Sequence, residues 1–106
     1  VATATPARLA MIGLNCADLV SDLDFIFSTD MLNLNKSQNE FFERVSQIIG
    51  VPKEDCVMFE DSLYAMQGAR NAGLGVIGMT DATNTRDREA IRACCDRVSD
   101  SFDELP

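Results

Sequence analysis

A short apolar run that ends in two acids constrains this chain more than any other stretch. Residues 56–59 (CVMF) are apolar and have the length of a strand. The segment that follows, Leu63 to Ala72, is predicted to be a helix, with Ser62 at its N-cap and Gly73 just past its end. A buried strand that turns at once into a helix is typical of an open parallel sheet with helices packed on it.

The two acids are Glu60 and Asp61, and their place in the chain makes them candidate ligands. In an open parallel sheet, ligands bind beyond the carboxyl ends of the strands. Paired carboxylates suit Mg²⁺, which takes oxygen ligands and often bridges to a phosphate. The alternative is a polar loop in which the acidic pair has no function, and this stretch alone does not decide between the two interpretations.

Strand-like and helix-like segments alternate along the whole chain. Strands are predicted at 1–4, 24–29, 56–59, 74–79 and 97–99, and helices at 7–14, 37–49, 63–72 and 86–95, with a loop at 30–35 and another helix beginning near 101. Strands that alternate with helices indicate an α/β fold with a parallel sheet.

The helix that runs to about Ile49 carries its own boundary signals. Ser37 and Glu40 have the spacing of a capping box, and Gly50 follows the last helical residue. One stripe of this helix is predicted to face the core, namely Phe41, Val45, Ile48 and Ile49.

Composition excludes several classes of function. The chain has no His, which rules out His-based catalysis and His metal sites within it. Its net charge of −8 argues against nucleic acid or an anionic membrane surface as a partner, and no stretch is long and apolar enough to span a membrane. None of the four cysteines forms a C-x-x-C pair, so we expect reduced thiols in a cytoplasmic protein, with Cys56 in the core.

Four polar residues follow predicted strands and are expected to converge on one edge of the sheet: Thr3, Lys36, Glu60 and Asp61. A hydroxyl and a lysine can bind phosphate oxygens, and the acids can hold Mg²⁺, which together would stabilise the charge of phosphoryl transfer. Taken singly, Thr3 is more often a plain strand-end hydroxyl and Lys36 a solvated lysine. The set contains no obvious nucleophile.

Four segments of the chain resemble the second half of a haloacid dehalogenase superfamily hydrolase. They are residues 1–6 (VATATP), Lys36 with the following 40–42 (EFF), 49–62 (IGVPKEDCVMFEDS) and 69–73 (ARNAG). The most similar subgroup contains β-phosphoglucomutase and phosphoglycolate phosphatase-like enzymes. The resemblance covers nearly the whole chain and is most specific between residues 49 and 73. It implies a Rossmann-like three-layer parallel sheet of the haloacid dehalogenase type.

The resemblance also implies a role for each candidate residue. Thr3 matches the second motif of the family and would bind the transferring phosphoryl group together with Ala4. Lys36 matches the third motif and would contact the phosphate and the nucleophile. Glu60 and Asp61 match the fourth motif and would hold Mg²⁺, directly or through water.

The chain departs from the family pattern in two places. The usual prolines after the motif lysine are replaced in the sequence of residues 36–40 (KSQNE), so the lysine loop loses rigidity but keeps its charge. The first motif, Asp-x-Asp-Gly with the nucleophile and the acid/base, is absent. Residues 22–24 (DLD) have the bare spacing but are rejected, because no Gly-Thr follows, no strand precedes them, and they come after the second motif.

These departures imply that residues 1–106 are the C-terminal portion of one such core domain. The first strand and the cap domain would be missing, and the sheet would have a gap between the strands that end at Thr3 and Phe59. We therefore expect this chain to pair with the missing N-terminal part of the same fold. The chain alone is predicted to be inactive, because nothing in it can form an aspartyl-phosphate.

The function that we expect of the parent protein is Mg²⁺-dependent hydrolysis of a small phosphorylated metabolite, a phosphoric monoester. The aspartyl-phosphate would form on an Asp outside this chain. Two alternatives remain open: a sugar phosphomutase of the same family, and a non-catalytic fragment or binding module.

Overall fold

The computed structural model describes residues 1–105, so that Pro106 lies outside the described part. Its strands are β1 (Ala2–Thr3), β2 (Phe27–Ser28), β3 (Val57–Glu60), β4 (Gly75–Met79) and β5 (Arg97–Ser99). Its α-helices are α1 (Ala7–Cys16), α2 (Thr29–Leu32), α3 (Asn39–Ile49), α4 (Leu63–Ala72) and α5 (Arg88–Cys94). None of the helices in this range is both long and apolar enough to cross a membrane.

The strands form two separate parallel sheets. In the first sheet β1 pairs with β2, with Thr3 opposite Ser28. In the second sheet β4 lies between β3 and β5, with Glu60 opposite Gly78 on one side. These pairings and the alternation of elements confirm the predicted α/β fold with parallel strands. Within residues 1–105 no pairing joins β1 to β3, which agrees with the expected gap.

An open groove of about 680 Å³ separates the two sheets. Val1 and Ala2 line it on one side and β3 lines it on the other. On β3, Val57 is 56% exposed and Phe59 is 44% exposed, so the prediction that 56–59 is a buried strand is wrong for these two side chains. The physical reason is that β4 covers only one edge of β3, while the groove leaves the other side open to solvent.

The hydrophobic core lies between the three-stranded sheet and helices α3, α4 and α5. Phe41 and Phe42 of α3 are buried there with their rings edge to face and 5.2 Å between centroids. The core cluster also contains Met66, Ala69, Ala72, Leu74, Val76 and Ile91.

Of the stripe predicted on α3, Phe41 is confirmed as core, and Val45 and Ile49 are half-buried. The prediction that Ile48 faces the core is wrong, since Ile48 is 49% exposed. Phe42 is buried in the core instead. The helix packs on α4 through the turn that holds the two phenylalanines, and the side of its last turns that carries Ile48 is uncovered.

The two predicted serine caps are also wrong. Helix α3 begins at Asn39, with Gln38 rather than Ser37 at the N-cap, and no side chain caps it. Ser62 does stand at the N-cap of α4, but its side chain makes no capping hydrogen bond and instead approaches Asp61 Oδ1 at 3.5 Å. The N–H of Ser62 is bound by a neighbouring carboxylate, so the local turn differs from that of a capping box.

The predicted helix ends are confirmed at two glycines. Gly50 has φ of 73° and Gly73 has φ of 96°, and both close a helix in the left-handed conformation. Side chains with a Cβ rarely adopt this conformation, which explains why glycine stands at both positions.

Polar contacts join helix α1 to the two-stranded sheet. The N–H of Ala7, in the first turn of α1, donates to both carboxylate oxygens of Asp30 at 3.2 and 3.4 Å. The hydroxyl of Ser28, at the end of β2, also donates to Asp30. The preceding residue, Pro6, has no side-chain acceptor, so a carboxylate from outside the helix serves its exposed N–H groups.

Candidate functional site

A buried ion pair between Lys36 and Glu60 forms the centre of the candidate site. Lys36 lies in the loop before α3 and Glu60 is the last residue of β3, and each is only 7% exposed. Lys36 Nζ contacts Glu60 Oε2. The two residues are 24 positions apart, so the fold rather than local sequence brings them together. Removing charges from water is costly, and the attraction within the pair offsets part of that cost.

Gly68 of α4 lets the lysine loop approach this helix closely. A Cβ at residue 68 would overlap the main-chain carbonyl oxygen of Lys36 and would stand 3.0 Å from the ring of Phe42. Glycine in a helix interior is less favourable than alanine by about 1 kcal/mol, so its presence here has a packing reason. Sequence reasoning missed this role, although an isolated glycine inside a helical pattern is a usable signal.

The carboxylate of Glu60 is fully engaged by protein groups. Its Oε2 contacts Lys36, and its Oε1 accepts hydrogen bonds from the N–H groups of Asp61 and Ser62, both at 3.1 Å. Glu60 therefore links the lysine loop to the turn that begins α4. Three contacts thus occupy this buried carboxylate, which leaves it fewer lone pairs for another cation than the exposed carboxylate of Asp61 has.

Asp61, by contrast, presents an open carboxylate. The residue is exposed, and its Oδ1 accepts a long hydrogen bond of 3.5 Å from the hydroxyl of Ser62. Its main chain is nevertheless held firmly, because the carbonyl oxygen of Asp61 accepts a hydrogen bond of 3.0 Å from the side-chain amide of Asn84. Sequence reasoning missed Asn84, which stands in a loop of polar residues with no pattern to single it out.

Thr3 and Ala4 stand at the carboxyl end of β1, in the other sheet. The hydroxyl of Thr3 accepts a hydrogen bond from the N–H of Thr5 at 3.0 Å, and the carbonyl of Ala4 accepts one from Thr29 at 3.5 Å. No hydrogen bond or ion pair in residues 1–105 joins either of them to the Lys36–Glu60 pair or to Asp61. That all of these residues act in one site stays a prediction.

The residues present fit a magnesium ion only in part. Across the described chain, no three His, Cys, Asp or Glu side chains lie together so as to hold a metal ion. Of the two predicted ligands, Asp61 has a free carboxylate, whereas that of Glu60 is engaged. Because Mg²⁺ is commonly bound by one or two carboxylates together with phosphate oxygens and water, Asp61 suits the role of a single protein ligand.

The thiols of Cys56 and Cys95, which pack in or beside the core, do not provide a nucleophile at neutral pH. None of the four cysteines forms a disulfide within the described residues, and their reduced state stays a prediction. Burial raises the pKa of Cys95 to about 11 and also raises the pKa of Cys56, so both are protonated. Cys56, predicted to be a core residue, is half-buried beside the core cluster.

Comparison with known proteins shows the family and the fold of this chain. Residues 1–79 match the model of a family described as haloacid dehalogenase-like hydrolases. A phosphatase of Mycobacterium tuberculosis is 28% identical over 74 residues, which cover 70% of this chain and 34% of the phosphatase.

Two solved structures are similar over 92% of this chain. One is a candidate β-phosphoglucomutase from Thermotoga maritima, with a TM-score of 0.81 and 27% identity, of which 45% is covered. The other is a haloacid dehalogenase-like protein from Agrobacterium tumefaciens, with a TM-score of 0.79 and 25% identity, of which 47% is covered. The chain thus spans less than half the length of each of these relatives.

Proposed function

Since the chain belongs to the haloacid dehalogenase-like hydrolase family, we propose that it forms the phosphoryl-binding part of a Mg²⁺-dependent phosphatase for a small phosphorylated metabolite. One observation carries the proposal: the buried Lys36–Glu60 pair stands next to the open carboxylate of Asp61 at the carboxyl end of β3. The similarity to a phosphatase of M. tuberculosis supports the choice of reaction.

In this proposal Lys36 neutralises charge on the phosphate. Its ammonium group has three N–H donors. One of them binds Glu60 Oε2, so the others remain for phosphate oxygens. Glu60 keeps the lysine in place, because its other oxygen is bound to the turn at Asp61 and Ser62. Phosphoryl transfer depends mainly on such positioning and charge stabilisation.

Thr3, Ala4 and Asp61 complete the proposed site. Thr3 would offer its hydroxyl, and the main chain at Ala4 its N–H, to the transferring phosphoryl group. Asp61 would hold Mg²⁺, which when bound supplies further positive charge to the phosphate. The engaged carboxylate of Glu60 favours an indirect role toward the ion, through Lys36 and the turn.

The nucleophile in this proposal is an Asp that residues 1–106 do not provide. Its carboxylate oxygen would attack phosphorus and release the alcohol, and water would then hydrolyse the aspartyl-phosphate to regenerate the carboxylate and free phosphate. The groove between β1 and β3 supports this part of the proposal, because a strand placed there would pair with both sheets and end beside Glu60.

The groove also suggests what such a strand would look like. Its walls are mostly apolar, and three carboxylates line it, from Asp22, Asp24 and Asp55. Asp55 lies two residues before the first residue of β3, at the amino end of that strand. A parallel partner strand would therefore be apolar and would carry a basic residue near its amino end, where it would face these acids.

A sugar phosphomutase is the second candidate, and the similarity to a candidate β-phosphoglucomutase favours it. Both reactions use the same phosphoryl-binding residues and differ in where the phosphoryl group goes. Release of inorganic phosphate from a sugar phosphate distinguishes the phosphatase, and conversion to an isomeric sugar phosphate distinguishes the mutase. A binding module would do neither.

The test is hydrolysis of p-nitrophenyl phosphate by the native protein that contains this chain, over a range of Mg²⁺ concentrations. Asp61→Asn is expected to lower kcat/KM by about a hundredfold or more and to change its Mg²⁺ dependence. Asp103→Asn, which alters an exposed carboxylate near the other end of the chain, is the matched control. Equal Mg²⁺ dependence in Asp61→Asn and the parent would refute the metal assignment.

The 106-residue chain alone supplies a second test. Without the nucleophile it is expected to release no phosphate from p-nitrophenyl phosphate at any Mg²⁺ concentration. Mg²⁺-dependent turnover by the purified chain would overturn the proposed aspartyl-phosphate mechanism.

A further inference from the structure

The side chain of Asn84 lies at the point where strands β3 and β4 diverge. Glu60 and Gly78 form the last pair of this ladder, so Asp61 and Met79 would come next in register. Instead of pairing with each other, their carbonyl oxygens both accept hydrogen bonds from Asn84 Nδ2, at 3.0 Å for Asp61 and 2.9 Å for Met79. The amide of Asn84 thus takes the place of the next ladder contact.

Asn84 is itself held by its own loop. Its Oδ1 accepts the N–H of Asp81 at 3.1 Å, its carbonyl accepts the N–H of Asp87 at 3.0 Å, and the residue is 7% exposed. Asp81 in turn accepts both the N–H and the hydroxyl of Thr83 at 2.6 Å. The side-chain amide is therefore presented by an ordered turn rather than by a freely moving loop.

As a result, the main chain of Asp61 is fixed on both sides. Its N–H donates to Glu60 Oε1 at 3.1 Å, and its carbonyl accepts from Asn84 Nδ2. With both peptide groups held, only the rotation of its own side chain remains to place the Asp61 carboxylate. Outer residues that orient a ligand in this way affect metal affinity without touching the metal.

We propose that Asn84 is a positioning residue that fixes Asp61 for cation binding at the carboxyl end of β3. This inference rests on the proposed role of Asp61. An asparagine suits the position because one nitrogen provides two N–H donors for two carbonyl oxygens while the oxygen accepts an N–H. An aspartate of the same shape would place an oxygen against both carbonyls.

The first experiment follows the main chain directly and needs no metal. Native-state amide hydrogen exchange is measured at Asp61 and Ser62 in the native protein that contains this chain. In Asn84→Ala, exchange at these two amides is expected to become at least about tenfold faster, because the turn is released on its Asn84 side. Unchanged exchange at both amides would overturn the proposal.

A matched control separates this effect from general loosening of the loop. Thr83→Ala removes the hydroxyl that binds Asp81 but leaves the Asn84 contacts to Asp61 and Met79 in place. Exchange at Asp61 and Ser62 is expected to stay as in the parent. An equal increase in Thr83→Ala and Asn84→Ala would mean that Asn84 is only a loop anchor.

The second experiment measures the Mg²⁺ dependence of p-nitrophenyl phosphate hydrolysis. Asn84→Ala is expected to raise the half-saturating Mg²⁺ concentration by about tenfold or more, with most of kcat recovered at saturating Mg²⁺. A purely structural role would lower the melting temperature and kcat without moving that concentration. Half-saturation within twofold of the parent would overturn the proposal.

Two further variants keep the outcomes distinct. If Asn84→Ala does not fold, Asn84→Ser, which removes the amide without adding a charge, replaces it and is expected to shift half-saturation in the same direction. If Asp61→Asn leaves the Mg²⁺ dependence unchanged, the proposed function fails. If Asp61→Asn changes it and the Asn84 variants do not, only the inference about Asn84 fails.

Discussion

The two sheets of this molecule are stabilised in different ways. The three-stranded sheet and helices α3, α4 and α5 enclose a core of buried apolar side chains, among them Phe41, Val76 and Ile91. On the side of the two-stranded sheet, helix α1 buries none of its residues, and Leu9 and Ile12 are 58% and 54% exposed. Because apolar burial is the main stabilising term in folding, the three-stranded sheet with its helices is expected to be the more stable part.

The two-stranded part has less apolar burial, from Phe27 and from Ala2 and Leu32 packed against the core cluster, and it adds a few polar contacts at its edges. Asp30 binds the N–H of Ala7 and the hydroxyl of Ser28, and the amino group of Val1 donates to the carbonyl of Phe25 at 2.8 Å. Segments with few buried apolar contacts open more easily than the core. If the strand proposed for the groove beside β1 binds there, we expect it to stabilise this part.

The largest expected effect comes from truncating the core. Phe41→Ala should lower the free energy of unfolding by about 3–5 kcal/mol, since the side chain is completely buried. Ile12→Ala, on the exposed face of α1, should change it by less than about 0.5 kcal/mol. Urea denaturation of both variants measures the two costs. Similar costs would mean that Ile12 is buried against another part of the native protein.

Two glycine-to-alanine variants should change the free energy of unfolding in opposite directions. Gly68→Ala should destabilise the protein by about 1–3 kcal/mol, because its Cβ overlaps the Lys36 carbonyl and forces the lysine loop away from α4. Gly13→Ala, in α1, meets nothing within 4 Å and should stabilise by up to about 1 kcal/mol through helix propensity.

Thermal unfolding measures the stability of both glycine variants. The phosphatase activity of the native protein that carries each variant is a second measurement. Gly68→Ala should lower activity as well as stability, since it displaces Lys36, whereas Gly13→Ala should leave activity unchanged. A Gly68→Ala protein with full stability and activity would show that the lysine loop does not need this close approach.

The smallest expected effect is a pH dependence confined to the two-stranded part. The hydroxyl of Ser28, helped by the N–H of Ala7, lowers the pKa of Asp30 below its ordinary 3.8. A lowered pKa means that the carboxylate form stabilises the fold, so its contribution is complete above pH 3.8 and is lost as pH falls through the lower value.

Amide exchange in α1 between about pH 5 and pH 2 checks this expectation. After division by the intrinsic exchange rate, which itself changes with pH, the protection of the Ala7 amide should fall in acid in the parent, and Asp30→Asn should remove most of that acid-dependent loss. Asp96→Asn is the matched control in the other part, where the N–H of Val76 and then Arg70 lower the pKa of Asp96. If Asp96→Asn changes α1 as much as Asp30→Asn does, the two parts do not unfold independently.

Much of the fold follows from local patterns in the sequence. Helix α4 and strand β5 have the predicted bounds, and β4 differs from its prediction by one residue. These elements are marked by runs of apolar residues and by glycines at helix ends, which act within a few positions of the chain. The run from residue 49 to 73 also carried the family resemblance that the match over residues 1–79 confirms.

The sequence proposed the members of the candidate site, whose roles stay a prediction, but it did not reveal their contacts. Lys36, Glu60 and Asp61 stand out in the sequence because they follow strands. The sequence does not reveal that Glu60 is engaged by Lys36 while Asp61 is open, nor that Asn84 and Gly68 support them. Those partners come from elements 23 to 32 positions away, and no local pattern specifies them.

Sequence alone therefore determined the family, the candidate residues and the order of strands and helices except for α2, which lies where a loop was predicted. Tertiary structure decided that Ser62 is not a side-chain cap and that Val57 and Phe59 are exposed. The physical reason is the range of each interaction. Helix periodicity and glycine turns depend on neighbours in the chain, whereas burial and hydrogen-bond partners depend on residues that only folding brings together.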